Sequence, residues 1–598
     1  MNVLGISCFF HDSAAALISA DHGVLAAAEE ERFTRRKHDH NFPKHAIDFC
    51  LAEANLKPSD VDIVAFYEEP WSKLNRVGYN YLKSLFRSDL NLNSILSGWA
   101  NQKLWVADYI TNHLGINRDC IKFFPHHLSH AYSAFGPSGY SSAACLTLDG
   151  VGEWETATFG KFENGKYQKI ASHRFPHSLG LMYSAFAEFL GFEVNDGEFK
   201  VMGMAAYGSP KYTEKIRRLF QYQKGFKFNL DMSYFSFDRS SSTNLTQKFI
   251  SVFGTPRLRD AEFLSADSDV GSFTNSKELV IESQQYYADI AASLQDVLEA
   301  VVLELVEELY SLTNQKNLVY AGGVALNSVL NGRIVLESSF ENVFIQPAAG
   351  DNGAAVGAAF CALGSKMHQI RDQVRLKTGA LGKSYGPSEI IEAGRLNKYP
   401  HFVEHVASAS LIEEIVGRLM KGQVGAILRG GFEFGPRALG NRSIIADPRS
   451  ADMKARVNHA VKFRELFRPF APIVALEAAA ELFEFQPAAK AEAQPFAYMM
   501  AVTNVRTEHQ STLEAITHVD GTSRVQVVHS ESDPFLHELL TAFGKQSGVP
   551  VLMNTSFNRK GEPIVNSPDE ALSTFLWTDI DFLVMESFIF FKQISVQN

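Results

Sequence analysis

Apolar residues in this chain come in short, nearly uninterrupted runs broken by polar turns, and the first three runs stand almost back to back. NVLGISC, SAAALIS and GVLAAAEE are each of strand length, with His-Asp and Asp-His-Gly between them. The opening therefore reads strand, tight turn, strand, turn, strand. The same figure returns at CLTLDGVGEWETATFG and GKYQKIA. After each set comes helix-length amphipathic sequence and then a short β run, VDIVAFY in the first copy, NLVYAGG and VFIQP in the second. The repetition predicts an internal duplication to about residue 362, two βββ-αβ-αβ halves facing each other across a cleft. Acidic and glycine-rich turns at strand ends would line it, where α/β sheets present ligand loops. This is the layout of the actin-like (ASKHA) fold.

Between roughly 363 and 390 the sequence turns polar and basic and periodicity fades, as in a connector. This places one domain at 1–365 and a second at 385–598. The second alternates an amphipathic helix, ASLIEEIVGRLMKG, with the strands QVGAILRG, PIVAL, VPVLMN and DFLVME, which suits a compact α/β domain. A length of 598 residues also favours two large cores over one.

Composition changes this picture only by exclusion. With 46% hydrophobic and 21% charged residues both parts are expected to fold. A net charge of −11 lacks the basic excess of a nucleic-acid binder. Five scattered cysteines without a CxxC pair fit neither a disulfide framework nor a thiolate zinc site and suggest a reducing, cytoplasmic compartment. No run of eighteen uncharged apolar residues occurs, so no membrane span is expected.

Three groups of residues carry candidate chemistry. In PHHLSHAYSAF, His126 and His130 are four apart and share one helix face, so both imidazoles can grip one metal ion. Asp149, ending CLTLD, and Asp351, in AAGDNGAA, are the candidate carboxylate partners, and the bland alternative is histidines that pack and cap a helix. The glycine turns at Gly322-Gly323 and at Gly350 and Gly353 each follow a strand and open a helix, suiting a nucleotide phosphate or simply a turn. Between Arg429 and Arg468 nine Lys or Arg stand against four acids, a cluster that suits anions, with Arg437, Lys462 and Arg468 as candidates and Arg524 and Ser556 able to complete the pocket. His11, in the first hairpin turn, is placed to face the cleft as a neutral imidazole near its ordinary pKa, or else forms an Asx-type turn with Asp12.

Taken together, LGISCFFHDSAAAL, EEERFTRRKHD, HHLSHAYSAF, LDGVGE, KVMGMAAYG, YAGGVALN, GDNGAAVGAA, FGPRALGNRSI, RPFAP and NTSFN resemble the O-carbamoyltransferase family of nodulation-factor and antibiotic biosynthesis (NodU/CmcH type). The resemblance spans almost the whole chain. It implies a Kae1-like domain of actin fold followed by a YrdC-like domain that makes carbamoyladenylate from carbamoyl phosphate and ATP with Mg2+. The first domain then passes the carbamoyl group to a small-molecule alcohol. It further implies Fe2+ or another divalent metal on His126, His130, Asp149 and Asp351, a carbamoyl-phosphate and ATP pocket at Arg437, Lys462, Arg468, Arg524 and Ser556, and the adenylate at the glycine turns. His11 matches a position near the acceptor hydroxyl, with Asp12 the next candidate base, while the aspartate that some members carry just before this histidine is absent here. A homodimer is compatible with the resemblance. Threonylcarbamoyl transfer to tRNA is disfavoured by the acidic charge, hydrogenase maturation by the missing CxxC pairs, and a non-catalytic nucleotide sensor by the second domain's anion pocket. Residues 32–43 and 222–275 are the candidate acceptor loops.

Overall fold

Six residues of near-continuous apolar character form the strand Asn2–Ser7 (β1), and all but Asn2 are buried because the strand lies inside its sheet. The computed structural model describes residues 1–84, 102–240, 242–261, 263, 274–364, 366–367, 376–397, 399, 401–405, 407–462 and 468–592, with side chains from residue 284 in the helix opening at Thr274 and up to Val461. The strands Ala14–Ser19 (β2) and Gly23–Glu29 (β3) continue β1 as an antiparallel meander, and Ile63–Phe66 (β4) and Ile121–Phe123 (β5) add in parallel, in the order β3-β2-β1-β4-β5.

The second half repeats this arrangement. Ser142–Leu148 (β6), Glu155–Glu163 (β7) and Lys166–Arg174 (β8) form the meander, a separate hairpin of Phe220–Gln223 (β9) and Lys227–Leu230 (β10) intervenes, and Asn317–Ala321 (β11) and Asn342–Ile345 (β12) complete the order β12-β11-β6-β7-β8. The expected duplication is therefore present strand for strand. The sequence reading missed β5, whose three residues IKF carry too little pattern to register.

The helix after β5, His126–Ser138, and the helix after β12, Asp351–Leu363, are equivalent elements of the two halves, and they pack directly on each other. Small residues make this close. A Cβ on Gly357 would sit 1.7 Å from the Ser129 carbonyl oxygen, and one on Gly5 of β1 would sit 1.9 Å from the Ala355 oxygen. The Asp351 helix is thus wedged between β1 and its partner helix, buried along nearly its whole length.

Beyond residue 385 an eight-stranded mixed sheet runs in the order Phe402–Glu404, Phe588–Phe591, Phe582–Met585, Gly425–Leu428, Arg442–Ala446, Val551–Ser556, Ala471–Ala475, Gln526–Val528. Four of these strands were expected from their apolar runs. The domain touches both halves of the first. Arg32, only 1% exposed, donates to the carbonyls of Glu433 (3.3 Å) and Gly435 (2.8 Å), while Asn331 donates to Met500 O (2.8 Å).

If the glycine at the helix crossing sets the spacing, Gly357→Ala should destabilise the protein by about 1–3 kcal/mol, the usual cost of overpacking. Gly417→Ala, in the helix Ser408–Leu419 with nothing within 4 Å of a Cβ, should be neutral or slightly stabilising. Denaturant or thermal unfolding of the two variants checks the contrast, and equal behaviour would reject it.

Candidate metal and transfer site

Because the His126 and Asp351 helices cross near their N-termini, the sequence-distant candidate ligands converge. Nε2 of His126 lies 3.0 Å from Asp149 Oδ2 and 3.1 Å from Nε2 of His130, and Asp351 Oδ1 stands 3.7 and 3.6 Å from the two imidazole nitrogens. All four donor atoms fall within 4.8 Å of one another, and every residue but the half-buried Asp149 is buried. Donors around a divalent ion at about 2.0–2.2 Å stand about 3.0–3.5 Å apart, so these spacings fit the edges of a coordination sphere. Two imidazoles and two carboxylates are also a suitable donor set for iron or zinc. Without a cation, two buried carboxylates would rely on the histidines for charge, and burial, which opposes protonation of His126, is outweighed by Asp351 and Asp149, so that its pKa rises to about 9.

The surroundings hold these ligands in place. Asp149 ends β6, and its Oδ1 accepts the backbone N–H of Gly323 at 2.9 Å. Tyr67, at the end of β4, donates its hydroxyl to Asp351 Oδ2 at 3.3 Å. Glu153 accepts the backbone N–H of His126 (3.0 Å), satisfying an open donor at the helix start. A Cβ on Gly152 would come within 2.9 Å of the His126 side chain, so this turn needs its glycine. His127, between the two ligands, is occupied with Thr147 (2.7 Å) and the Glu155 carbonyl (2.9 Å), a packing role.

The glycine turns look more structural than the sequence suggested. Gly322 has φ +99° and lies so close to the Leu148 carbonyl that a Cβ would reach 2.2 Å from its oxygen. The N–H of Gly323 serves Asp149. Gly350 caps the Asp351 helix, and Gly353 lets that helix close against the Ala348 carbonyl.

The β1–β2 turn, equivalent in the first half to the β6–β7 turn that carries Asp149, holds His11 and Asp12. It is pinned by the hydrogen bonds of Phe9 N to His40 O and Ser13 N to Asp39 O, at 2.7 and 2.8 Å. This brings in a residue the chemistry-led reading overlooked. Asp12 accepts from His11 Nδ1 and His38 Nδ1, each at 2.7 Å, and His38 Nε2 reaches Asp196 at 2.8 Å. The three residues His11, Asp12 and His38 also qualify as a cation cluster, but contacts of this length are hydrogen bonds, and both nitrogens of His38 are engaged. Burial disfavours a charged His38, yet Asp12 and Asp196 outweigh it and lift its pKa to about 10, so it is an imidazolium at neutral pH. For His11 burial also opposes protonation, and the Asp12 bond overcomes it, raising the pKa above the ordinary value expected from sequence. His38 was visible in EERFTRRKHD, within the proposed loop 32–43, but nothing local paired it with Asp12.

In the second domain the basic cluster divides. Arg442 is fully buried and donates to the carbonyls of Arg429, Gly430, Asn441, Lys383 and Asn566, while Arg449 is taken by Asp447 and Arg456 by Asp581. Arg429 spans to Glu586. Those four are engaged within the fold and are not among the candidate ligands of the anion pocket. Burial first and the nearby Arg468 second depress the pKa of the candidate Arg437 to about 10. Arg468 also stacks on Phe199 of the first domain, 4.6 Å from its ring centre. Ser556 ends its strand and donates to Asn558 (2.6 Å), Arg524 stands between two strands beside His518, and the side chain of Lys462 lies outside the described residues.

Chelator-stripped protein reloaded with Fe2+ or Zn2+ should bind about one ion per chain, with His130→Ala losing stoichiometric binding and Tyr67→Phe weakening it roughly 10–100-fold. Affinity should fall as pH falls, because the ion displaces the proton held on His126. Elemental analysis across pH tests both points.

Comparison with known proteins bears on the same regions. The family described as Carbamoyltransferase N-terminus matches residues 2–360, and Carbamoyltransferase C-terminus matches residues 416–592. The chain is 39% identical over 631 residues to the uncharacterized protein sll1178 of Synechocystis, covering 100% of this chain and 97% of that protein. It is 35% identical over 590 residues to Nodulation protein NolNO of Sinorhizobium fredii, covering 98% of this chain and 79% of the relative. With 3'-hydroxymethylcephem-O-carbamoyltransferase of Amycolatopsis lactamdurans it shares 31% identity over 346 residues, 53% of this chain and 62% of that enzyme. Both family regions are matched in order over most of the chain, and the chain accordingly belongs to the carbamoyltransferase family and is a carbamoyltransferase.

Proposed function

We propose that this enzyme uses ATP with Mg2+ and one water to convert carbamoyl phosphate into carbamoyladenylate in its second domain: water releases phosphate to leave carbamate, whose oxygen attacks the α-phosphorus of ATP and displaces pyrophosphate. The carbamoyl group then passes to a hydroxyl of a small-molecule natural product in the first domain, releasing AMP. The observation that carries this reading is the placing of two constellations at equivalent turns of the duplicated halves, the donor set of His126, His130, Asp149 and Asp351 and the His11–Asp12–His38–Asp196 chain, near enough for Asp351 to act on the charge of His11. The name of the cephem relative supports a hydroxyl as acceptor. The Arg437–Arg468 pair supports an anionic ligand in the second domain, which the resemblance reads as YrdC-like.

His126, His130, Asp149 and Asp351 would hold iron or another divalent ion. When bound, such an ion polarises a carbonyl or phosphoryl oxygen as a Lewis acid. The chain's own residues do the rest. Asp12 fixes His11 through Nδ1, leaving Nε2 for the acceptor hydroxyl, whose proton it removes as the oxygen attacks the carbamoyl carbon. His38 holds Asp12 from its other oxygen, so that the carboxylate cannot turn away. Arg437, Lys462, Arg468 and Arg524 neutralise phosphate charge during activation, and the Ser556 hydroxyl donates to a phosphate oxygen.

Pyrophosphate release from ATP and carbamoyl phosphate, followed by product mass spectrometry with a panel of alcohols, tests the whole reading. Arg468→Ala and Lys462→Ala should abolish adenylate formation and leave transfer from supplied carbamoyladenylate largely intact. Equal loss of both activities would reject the division of labour. His11→Asn should lower transfer by about a hundredfold or more while adenylate still forms. Unprotonated His11 is the working form, so transfer falls as pH drops through its raised pKa. Asp12→Asn removes the partner that raises it, and the acid limb of the transfer profile should move to lower pH.

A further inference from the structure

Arg76 lies on the helix Pro70–Ser84 and is only 8% exposed, yet it makes no hydrogen bond or ion pair among the described residues. Its Nε–H is enclosed with no acceptor at all, and its guanidinium carbon lies over the Phe175 ring, 5.0 Å from the centroid. Glu68 and Glu153 stand near enough to favour its charge, but neither bonds it. Glu68 takes Lys73 at 2.5 Å and faces Lys103 at 3.8 Å. Glu153 accepts the backbone N–H groups of Glu69 (2.9 Å) and of the metal-site residue His126 (3.0 Å), and Glu69 makes no ion pair among the described residues. A guanidinium offers five donors in a planar fork, and burying its N–H groups without acceptors is costly. A group that completes it from outside the chain accounts for its retention.

The surroundings indicate what that group is attached to. Tyr79, one helical turn beyond Arg76, meets Trp154 with ring centres 5.7 Å apart, and Phe175 covers the guanidinium itself. Phe10, next to His11, is 47% exposed and has the ammonium groups of Lys73 and Lys103 at 4.6 and 5.1 Å from its ring centre. Phe10, beside His11, and Phe175 thus flank the helix Pro70–Ser84, with Lys73 against the one ring and Arg76, one turn further on, against the other. Such faces receive the flat side of a ring, and the fork receives two oxygens.

We propose that Arg76 is an oxyanion clamp for the carbamoyl acceptor, and that the acceptor is a ring-bearing alcohol carrying a carboxylate or comparable anionic group. The proposal rests on the carbamoyl-transfer reading above and adds the chemical class of the acceptor to it. In it the acceptor's ring lies on the aromatic faces, its anion on Arg76 and its hydroxyl toward His11. Phosphate of the bound nucleotide offers the same chemistry from a second source, and the experiment separates the two.

The probe is 4-(hydroxymethyl)benzoate beside its methyl ester, titrated by calorimetry into the full-length metal-loaded protein, wild type, Arg76→Gln and Arg76→Lys. Wild type should bind the acid at least about tenfold more tightly than the ester, R76Q should bind the two alike, and R76K should keep part of the preference because it retains the charge but loses the fork. Absence of acid binding at millimolar concentration, no preference in wild type, or a preference that survives in R76Q overturns the proposal. AMP probes the other source: a loss of AMP affinity in R76Q as large as the loss of acid affinity would assign Arg76 to the nucleotide and also overturn it. Thermal midpoints of R76Q and R76K check folding, and R76K carries the test if R76Q is unstable. Pyrophosphate release by wild type is measured separately, so failure of the carbamoyl-transfer reading is visible without altering the acid–ester comparison.

Discussion

The close crossing of the His126 and Asp351 helices is the contact on which the rest of this structure depends. Each helix follows the last strand of its own half, so their contact joins the duplicated halves. It is possible only because Gly357 and its alanine neighbours let one backbone approach the other, with Gly136 leaving room for Phe360 in return. The same approach brings Asp351 to His126 and His130. A wider crossing would leave two histidines on one side of the cleft and a carboxylate on the other, with no shared ion. Packing and chemistry are therefore set by one constraint, and a methyl group at residue 357 would disturb both.

The junction between domains is built next to this crossing. Glu29 closes β3, accepts the N–H of Gly435 (2.5 Å) and the side-chain amide of Asn352 (3.2 Å), and faces Arg32 at 3.4 Å. Burial lifts the Glu29 carboxyl to about 7 even though Arg32 opposes it. Asn352 is the neighbour of Asp351, so the loop Glu433–Gly435 of the second domain is tied to the start of the helix that supplies a ligand. Arg35 adds bonds to the carbonyls of Pro563 (2.9 Å) and Ile564 (2.7 Å). The short segment between β3 and the His38 loop thus serves both the domain junction and the Asp12 chain.

In the second domain the role of an arginine depends on what surrounds it. Arg442 satisfies five backbone carbonyls without a carboxylate, work that a solvated or ligand-binding arginine could not do from the same place. Arg437 and Arg468 are brought near each other against their like charge, which is favourable only with an anion between them or with compensation nearby. In the first domain the reverse holds, since Asp12 stands between two imidazoles and each member of the chain has an opposite charge or a hydrogen bond beside it.

The sequence by itself determined a great deal here. Runs of apolar residues repeated in the same order gave the duplicated strands, because strand length and turn residues are local properties. The four-residue spacing of His126 and His130 put two ligands on one helix face for the same reason, and Asp149 and Asp351 were legible as acids at strand and helix ends. The tertiary structure alone decided which distant residues meet. Nothing within ten residues of His38 points to Asp12 or Asp196, and Arg76 resembles any helix-face arginine until its burial is known. Whether an arginine serves a ligand or a run of carbonyls depends on what surrounds it in three dimensions, because desolvation and partner geometry, not residue type, set the energy of a buried charge.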